Sequence, residues 1–200
     1  QRFGDPKKTA FPIEKILLLN LDDEFYRKYG GYPLKRSDLG RIVENLADLG
    51  AKVIVLDFFL KYPDIYGEDT RLARALRNSG NTVIASQIFF DSRLGKMRIH
   101  YPAPSLDAAA KTGYMDFVTG EAFGKLKFYP NMTDFEGGMP LAAQAVASYT
   151  ISKAKLEKGS LITGKSAPIP LGRFNEIQID FSSIPSKYKT LADCFGQSAY

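Results

Sequence analysis

Three aspartates follow two apolar runs of the chain, and their residue type and spacing are the best suited to chemistry. Asp22 and Asp23 end the run 15–21, and Asp57 ends the run 51–56. Apolar runs of this length without alternation are typical of strands covered on both faces. Because the carboxyl ends of parallel strands meet at one sheet edge, we expect the three carboxylates to lie there, where open α/β sheets bind ligands.

These carboxylates have three possible roles. Their oxygens could hold Mg²⁺ or Ca²⁺, and a magnesium-dependent hydrolase of phosphoesters is one hypothesis. The first run, however, continues into Asp-Asp-Glu-Phe rather than the Asp-x-Asp-x-Thr of aspartate-nucleophile enzymes. Strand-end aspartates also accept hydrogen bonds from backbone N–H groups. We therefore expect a structural role first and ligand contact second, with no catalytic residue and no metal ligand.

Two other positions carry charge near this edge. Lys35 and Arg36 precede a predicted helix, whose N-terminus could bind an anion. The alternative, which we favour, is an ion pair from Arg36 to one of the strand-end aspartates. His100 is the only histidine, so we expect an ordinary solvated or hydrogen-bonded loop residue rather than a catalytic base.

Motifs for common cofactors are missing from the sequence. No G-x-G-x-x-G and no G-x-x-x-x-G-K follows the first run, so no dinucleotide or nucleoside triphosphate of the usual kinds is expected, and we predict no cofactor. Tyr62 and Tyr66 could form an aromatic recognition patch, whereas core packing better explains Phe58 and Phe59.

The elements that position these residues follow from apolar periodicity. A helix is predicted over 37–49, with Ser37 as its N-cap and Gly50 directly after it. A second helix is predicted over 69–78 with Asp69 as its N-cap, and a third strand over 82–86. Residues 15–86 therefore predict a β-α-β-α-β unit with a parallel sheet.

The rest of the chain predicts smaller elements around that core. They are a short strand over 97–100, a short helix over 104–111 with Ser105 as a possible N-cap, a hairpin of 114–118 with 126–129, a helix from Pro140 to about 154, a half-exposed strand over 176–181 and a helical turn over 190–195. We predict an α/β fold: a single domain over 1–200, with its core at about 13–196 and helices on both faces of the parallel sheet.

Composition limits the class of protein. The 200 residues carry a net charge of +5 and give a pI near 9.1, but Lys and Arg never cluster in a short segment, so we predict no nucleic-acid partner. The single cysteine, Cys194, excludes an internal disulfide. No apolar stretch reaches the roughly 18 residues of a membrane span, and residues 1–6 contain no secretory signal. Both polar ends fit a soluble protein or an excised segment equally well.

The ordered set of motifs resembles the second class of CHASE domain, the cyclase- and histidine-kinase-associated sensory extracellular domain. The resemblance begins with Leu-Asp-Asp at 21–23, Tyr-Pro-Leu-Lys-Arg at 32–36 and the run 51–59. It continues through the helix 69–76, the strand 81–85, Gly-Tyr-Met-Asp at 113–116, the Met-Pro-Leu-Ala helix at 139–142 and Leu-Ala-Asp at 191–193. It covers nearly the whole chain, from about residue 15 to 195.

The chain departs from the family pattern at two places. Tyr-Pro-Leu-Lys-Arg stands where the family usually has Trp-Pro-Trp-x-Arg. The family's Asp-x-x-Gly-x-x-Arg hairpin is reduced here to Gly124–Lys127. A lysine at 127 cannot reproduce a bidentate arginine contact, so the ligand identity of relatives does not carry over.

The resemblance implies an extracytoplasmic sensor, periplasmic or at the cell surface, in an integral membrane protein. Flanking transmembrane helices would lead to a histidine kinase, a nucleotide cyclase or a similar output, and the signal would be a small molecule, an ion or a protein. A homodimer is possible, and a purely structural self-association domain is a further alternative. The candidate ligand-binding residues are Asp22, Asp23, Tyr32, Arg36, Asp57 and Asp69.

Overall fold

The computed structural model describes residues 16–115, 117–120, 123–129 and 138–179 as a mixed α/β fold. Its helices are α1 (Asp23–Tyr29), α2 (Arg36–Asp48), α3 (Asp69–Ser79), α4 (Pro104–Asp107) and α5 (Leu141–Tyr149). Its strands are β1 (Ile54–Leu56), β2 (Thr82–Asp91), β3 (Lys96–His100), β4 (Lys111–Met115), β5 (Phe117–Gly120), β6 (Phe123–Lys127), β7 (Lys155–Glu157), β8 (Ser160–Ile162), β9 (Ile169–Pro170) and β10 (Glu176–Ile179).

The chain divides into two compact units, one of residues 1–34 with 180–200 and the other of residues 35–179. The mixed α/β class agrees with the sequence prediction. The predictions for residues 13–15, 180–181 and 190–195 lie outside the described residues. None of the described helices is both long and apolar enough to cross a membrane.

In the smaller unit, the described part consists of a short extended segment and α1. Asp22 is the N-cap of α1, and its Oδ1 accepts a hydrogen bond from the backbone N–H of Phe25 at 2.9 Å. No strand forms over residues 16–22, and the side chains of 16–18 are each more than half exposed. The parallel strand predicted over 15–21 is therefore not confirmed, and neither is the complete β-α-β-α-β order.

The larger unit is built on a four-stranded sheet with β2 at its centre. β1 and β4 pair with β2 in parallel, and β3 pairs with the second half of β2 in antiparallel orientation. Helix α3 connects β1 to β2, which confirms the second βαβ step of the predicted core. Residues 82–86 are buried without interruption, as expected of a central strand covered on both faces.

Helices α2 and α3 pack against each other at Gly40. A Cβ on Gly40 would lie 3.4 Å from Ala75 Cβ and 3.5 Å from Leu72 Cα, which is ordinary van der Waals contact. Leu39 and Val43 of α2 bury the same apolar face that the sequence predicted. Gly50 follows α2 with φ +84°, as predicted.

The predicted N-caps of three helices are wrong. Lys35 is the N-cap of α2 rather than Ser37, Glu68 that of α3 rather than Asp69, and Ala103 that of α4 rather than Ser105. At Ser37 and Asp69 the reason is that polar groups of these residues bond to other segments of the chain. Ser37 N donates to Glu68, and the Asp69 carboxylate accepts from Arg36 and from the backbone of Asp64.

Helix α5 lies directly against β4. A Cβ on Gly113 would lie 2.6 Å from Leu141 Cα and 2.9 Å from Leu141 N, so a hydrogen atom alone fits at this position. α5 ends at Tyr149, earlier than the predicted residue 154, because the Thr150 hydroxyl donates back to the Val146 carbonyl at 2.9 Å and Ile151 takes φ +51°.

Two smaller sheets complete the described residues of this unit. One has the order β10-β6-β5 and the other β7-β8-β9. The antiparallel pairing of β5 with β6 confirms the predicted hairpin, although residues 114–115 belong to β4 instead. A second apolar core joins Phe128, Met139, Ala143 and Leu161.

Candidate ligand-binding site

The loop between β1 and α3, residues 57–68, is hereafter the edge loop. It leaves the carboxyl end of a parallel strand, which is the edge where open α/β sheets bind their ligands. Asp57, a predicted site residue, is its first residue and is exposed. The Asp57 carboxylate forms no hydrogen bond or ion pair with any residue that the structure describes. It is therefore available to a ligand.

The far end of the edge loop is held by Arg36. The Arg36 guanidinium donates from Nη1 to Asp69 Oδ1 and from Nη2 to the carbonyl oxygen of Tyr62. The pair is largely buried, since 13% of the Arg36 side chain and 14% of the Asp69 side chain are exposed. The sequence predicted an ion pair of Arg36 with a strand-end aspartate. The predicted partner is wrong. Arg36 pairs with Asp69, the first residue of α3, because the edge loop folds back over the start of α2.

Asp64 organises the turn that follows. Its Oδ2 accepts from the backbone N–H of Tyr66 at 2.8 Å and of Glu68 at 3.1 Å. The backbone N–H of Asp64 itself donates to Asp69 Oδ2 at 2.9 Å. An aspartate that accepts from backbone groups two and four residues ahead fixes a tight turn. The same carboxylate of Asp69 therefore holds both Arg36 and this turn.

The near end of the edge loop is held against β3. Leu60 O accepts from Ala103 N at 2.8 Å. Lys61 Nζ lies 3.3 Å from Nδ1 and 3.2 Å from Nε2 of His100. The His100 ring stacks on Phe89 with centroids 3.7 Å apart and planes 19° apart. His100 is thus the last residue of β3, which confirms the strand predicted over 97–100, and its ring is hydrogen-bonded as expected, although it does not lie in a loop.

Two groups at this end have shifted pKa values. Partial desolvation, with the positive charges of Lys61 and Arg98 beside the ring, lowers the pKa of His100 below 6.5. Burial and the nearby charge of Asp107 raise the pKa of the Tyr101 phenol above 10.0. His100 is therefore a neutral imidazole at neutral pH, and a neutral ring nitrogen can accept a hydrogen bond from Lys61.

Between its two held ends, the edge loop exposes a large apolar and aromatic surface. Tyr62 is 70% exposed, Ile65 86% and Tyr66 78%. Lys61 Nζ lies 5.2 Å from the centroid of the Tyr62 ring, which places a positive charge next to this surface. The two tyrosines, whose role the sequence left open, are solvent-facing. They present an apolar ring and a polar hydroxyl to a partner.

The other predicted site residues belong to the smaller unit and have local roles there. Asp22 caps α1 by accepting a backbone N–H, which is the structural role expected of this carboxylate, although no strand precedes it. Asp23 is exposed in the first turn of α1, where a negative charge is favourable. Tyr32 is exposed and meets the Tyr26 ring edge-on, with centroids 5.0 Å apart. Burial and the neighbouring Tyr32 raise the pKa of Tyr26.

Sequence reasoning missed four residues of this site: Lys61, Asp64, Glu68 and His100. The Pro-Asp-x-x-Gly order at 63–67 carried a usable signal for Asp64, because aspartate after proline and before glycine is typical of a turn. Nothing in the sequence links Lys61 to His100, since only the crossing of the loop over β3 brings them together. Among the residues the structure describes, no group of three His, Cys, Asp or Glu side chains could hold a metal ion.

Comparison with known proteins places the chain in a family. The family model described as CHASE2 domain matches residues 1–196. Searches of curated proteins and of solved structures find no match. The family match covers nearly the whole chain and agrees with the resemblance carried by the ordered motifs. The chain belongs to the CHASE2 family of extracellular sensory, non-catalytic domains of signalling proteins.

Proposed function

We propose that this chain is the extracytoplasmic ligand-binding sensor of a membrane-bound signal-transduction protein, such as a histidine kinase or a nucleotide cyclase. In this proposal the ligand is a small molecule, an ion or a protein. It contacts the edge loop, and the loop passes a conformational change to flanking transmembrane helices. Family membership supports the sensory role. The ligand contact and the membrane context are our inference.

The observation that carries the proposal is an exposed loop tip between two held ends. Arg36 and Asp69 hold one end, and the contacts of Leu60 and Lys61 with residues 100–103 hold the other. Tyr62, Ile65 and Tyr66 remain exposed between them. A loop already ordered by its own contacts loses little conformational entropy on binding, so its exposed side chains favour ligand contact.

The loop ends also connect the tip to elements that could respond. Through Arg36 the loop reaches the start of α2, and through Asp69 it continues directly into α3. A ligand shifts a conformational equilibrium only if it binds the two conformations with different affinity. We propose that a ligand on the tip changes the strength of the Arg36 and Asp69 contacts and so moves the two helix starts.

The predicted site residues take two roles in this proposal. Asp57, exposed and without a described partner, contacts ligand. Arg36 and Asp69 position the loop rather than contact ligand, because their charges are used on each other. Asp22, Asp23 and Tyr32 remain candidate ligand contacts of the smaller unit.

A thermal-shift screen of the whole chain against ions, metabolites and peptides tests the proposal. We expect a hit whose affinity falls about tenfold or more in Tyr66→Ala or Asp57→Ala, because truncation of a central aromatic or charged contact has effects of that size. Leu94→Ala, which removes an exposed apolar side chain from the turn between β2 and β3, is the matched control. A hit that keeps its affinity in both edge-loop variants would place the ligand elsewhere.

A further inference from the structure

An open cleft of about 500 Å³ lies where the start of α2 meets the start of α3. Three arginines of α3, Arg71, Arg74 and Arg77, line it along one side. They are spaced three residues apart, so successive Cα atoms rise by about 4.5 Å along the helix and the side chains share one face. All three residues are exposed. The cleft therefore has a row of guanidinium groups on one wall.

None of these three guanidinium groups forms a hydrogen bond or ion pair with a residue that the structure describes. Three other arginines of helices and strands behave differently: Arg36 pairs with Asp69, Arg41 with Asp38 and Arg98 with Asp91. Like charges three residues apart on a helix repel one another. Folding of the described residues thus gives this row no compensating carboxylate.

The remaining residues that line the cleft contribute two hydroxyl groups and a single negative charge. Ser37 and Thr70 carry hydroxyl groups, and Glu68 is the one carboxylate among the lining residues. Glu68 Oε2 already accepts a hydrogen bond from Ser37 N at 3.1 Å. Three guanidinium groups against one occupied carboxylate leave the cleft positively charged. An anion entering it would meet several donors at once.

We propose that this cleft binds a small ligand that carries two or more carboxylate or phosphate groups. A guanidinium offers two parallel N–H donors to such a group. The resulting bidentate, charge-assisted hydrogen bonds are strong and geometrically specific for oxyanions. The volume lies within the range of small-molecule sites, about 300–1,000 Å³. A row of exposed arginines beside an open cleft suits a compact polyanion, because a ligand of two or more charges can reach neighbouring guanidinium groups.

The cleft is lined by Gly67 and Glu68, the last two residues of the edge loop, but not by Tyr62, Ile65 or Tyr66 of its exposed tip. It requires neither a membrane nor a signalling output, so the proposed function can fail while this proposal stands. It also replaces the anion site that the sequence suggested at Lys35 and Arg36, because Arg36 is already paired with Asp69. The relevant cations are instead on α3.

Calorimetric titration of the whole chain with pyrophosphate, citrate, inorganic phosphate and acetate at low salt tests the proposal. We expect pyrophosphate and citrate to bind at least tenfold more tightly than acetate, and the affinity to fall as salt is added. Arg74→Gln should weaken binding by at least about tenfold, because one charge-assisted contact is lost. The affinity of Arg74→Lys should lie between that of the natural chain and that of Arg74→Gln, because lysine keeps the positive charge but lacks the two parallel N–H donors of a guanidinium.

A matched control separates a site from general attraction to a basic surface. Arg93→Gln removes an exposed arginine from the turn between β2 and β3 and should leave binding unchanged. The helix keeps its propensity in Arg74→Gln, and an unchanged melting temperature verifies folding. Equal losses in Arg93→Gln and Arg74→Gln, or no binding of any probe at millimolar concentration, would overturn the proposal.

Vesicles of phosphatidylglycerol distinguish a free ligand from a lipid headgroup as the source of phosphate. We expect citrate and pyrophosphate to bind the chain in the absence of any membrane. Co-sedimentation with the vesicles that is lost in Arg74→Gln, together with no binding of the soluble probes, would overturn the proposal in favour of a membrane surface.

Discussion

His100 is a residue whose surroundings decide its charge. Phe89 covers one face of its ring, and Lys61 and Arg98 place positive charge beside it. Desolvation and both cations disfavour the imidazolium, so the folded chain holds its pKa below 6.5. Protonation would therefore set three cations against one another where the edge loop meets β3.

The free energy of unfolding is expected to fall as pH falls through 6.5. Near and below that pH His100 is protonated in the unfolded chain, whereas in the folded chain it takes up a proton only at lower pH. Stability decreases with decreasing pH wherever the unfolded state binds more protons than the folded state. Well above pH 6.5 the ring is neutral in both states and its contribution to stability is complete. Urea unfolding at several pH values between 5 and 8 measures the slope.

The variant His100→Gln isolates this contribution. Glutamine does not titrate, so the variant should lose stability less steeply than the natural chain as the pH falls from about 7 to 5. The other titrating groups are common to both proteins and cancel in the comparison. Parallel pH profiles for the two proteins would mean that His100 does not carry the effect.

At the scale of elements, one ion pair joins the starts of α2 and α3. Arg36 contributes its guanidinium from the first residue of α2, and Asp69 its carboxylate from the first residue of α3. The same contact holds the Tyr62 carbonyl and, through Asp69, the turn at Asp64. The pair therefore fixes two helices and one end of the edge loop together.

Replacement of Arg36 by alanine is expected to destabilise the chain by about 1–3 kcal/mol. The Asp69 carboxylate would remain largely buried without its cationic partner, and an unsatisfied buried acceptor costs roughly that much. Urea unfolding monitored by circular dichroism measures the change.

Arg41→Ala is the matched control for this variant. Arg41 pairs with Asp38 at 3.5 Å on the exposed surface of the same helix, and its side chain is 70% exposed. Such pairs contribute about 0–1 kcal/mol. If the two variants lost equal stability, the Arg36 pair would behave as an ordinary surface contact and would not hold the loop.

The elements that sequence could predict are those with clear periodicity. The apolar faces of α2 and α3 and the buried run 82–86 stand where the pattern placed them. The strand predicted over 15–21 is not confirmed. An apolar run without alternation is compatible with several environments and does not specify which strand it would pair with. Arg36 was correctly expected to form an ion pair. Its partner depends on a loop path that no local pattern encodes.

At the scale of the whole molecule, folding changes the distribution of charge. The net charge of +5 looked evenly spread along the chain, with no basic segment. Helical spacing nevertheless brings Arg71, Arg74 and Arg77 onto one face beside a cleft. Linear clustering is thus a poor guide to basic surfaces, because residues three apart in sequence become neighbours on a helix. Three arginines within seven consecutive residues thus come to share one face of α3.

The proposed extracytoplasmic location predicts which side of the membrane this domain occupies in the full-length protein. In a protein with Cys194 and any other cysteine replaced by serine, Leu94→Cys puts one thiol on an exposed turn. A membrane-impermeant maleimide should label it in intact cells. Ala85→Cys, at a position with no exposed surface, should stay unlabelled until the protein is denatured, which shows that labelling reports exposure. Labelling of the Leu94→Cys protein only after lysis would place the domain in the cytoplasm, because the reagent cannot cross the membrane, and would refute the sensor topology.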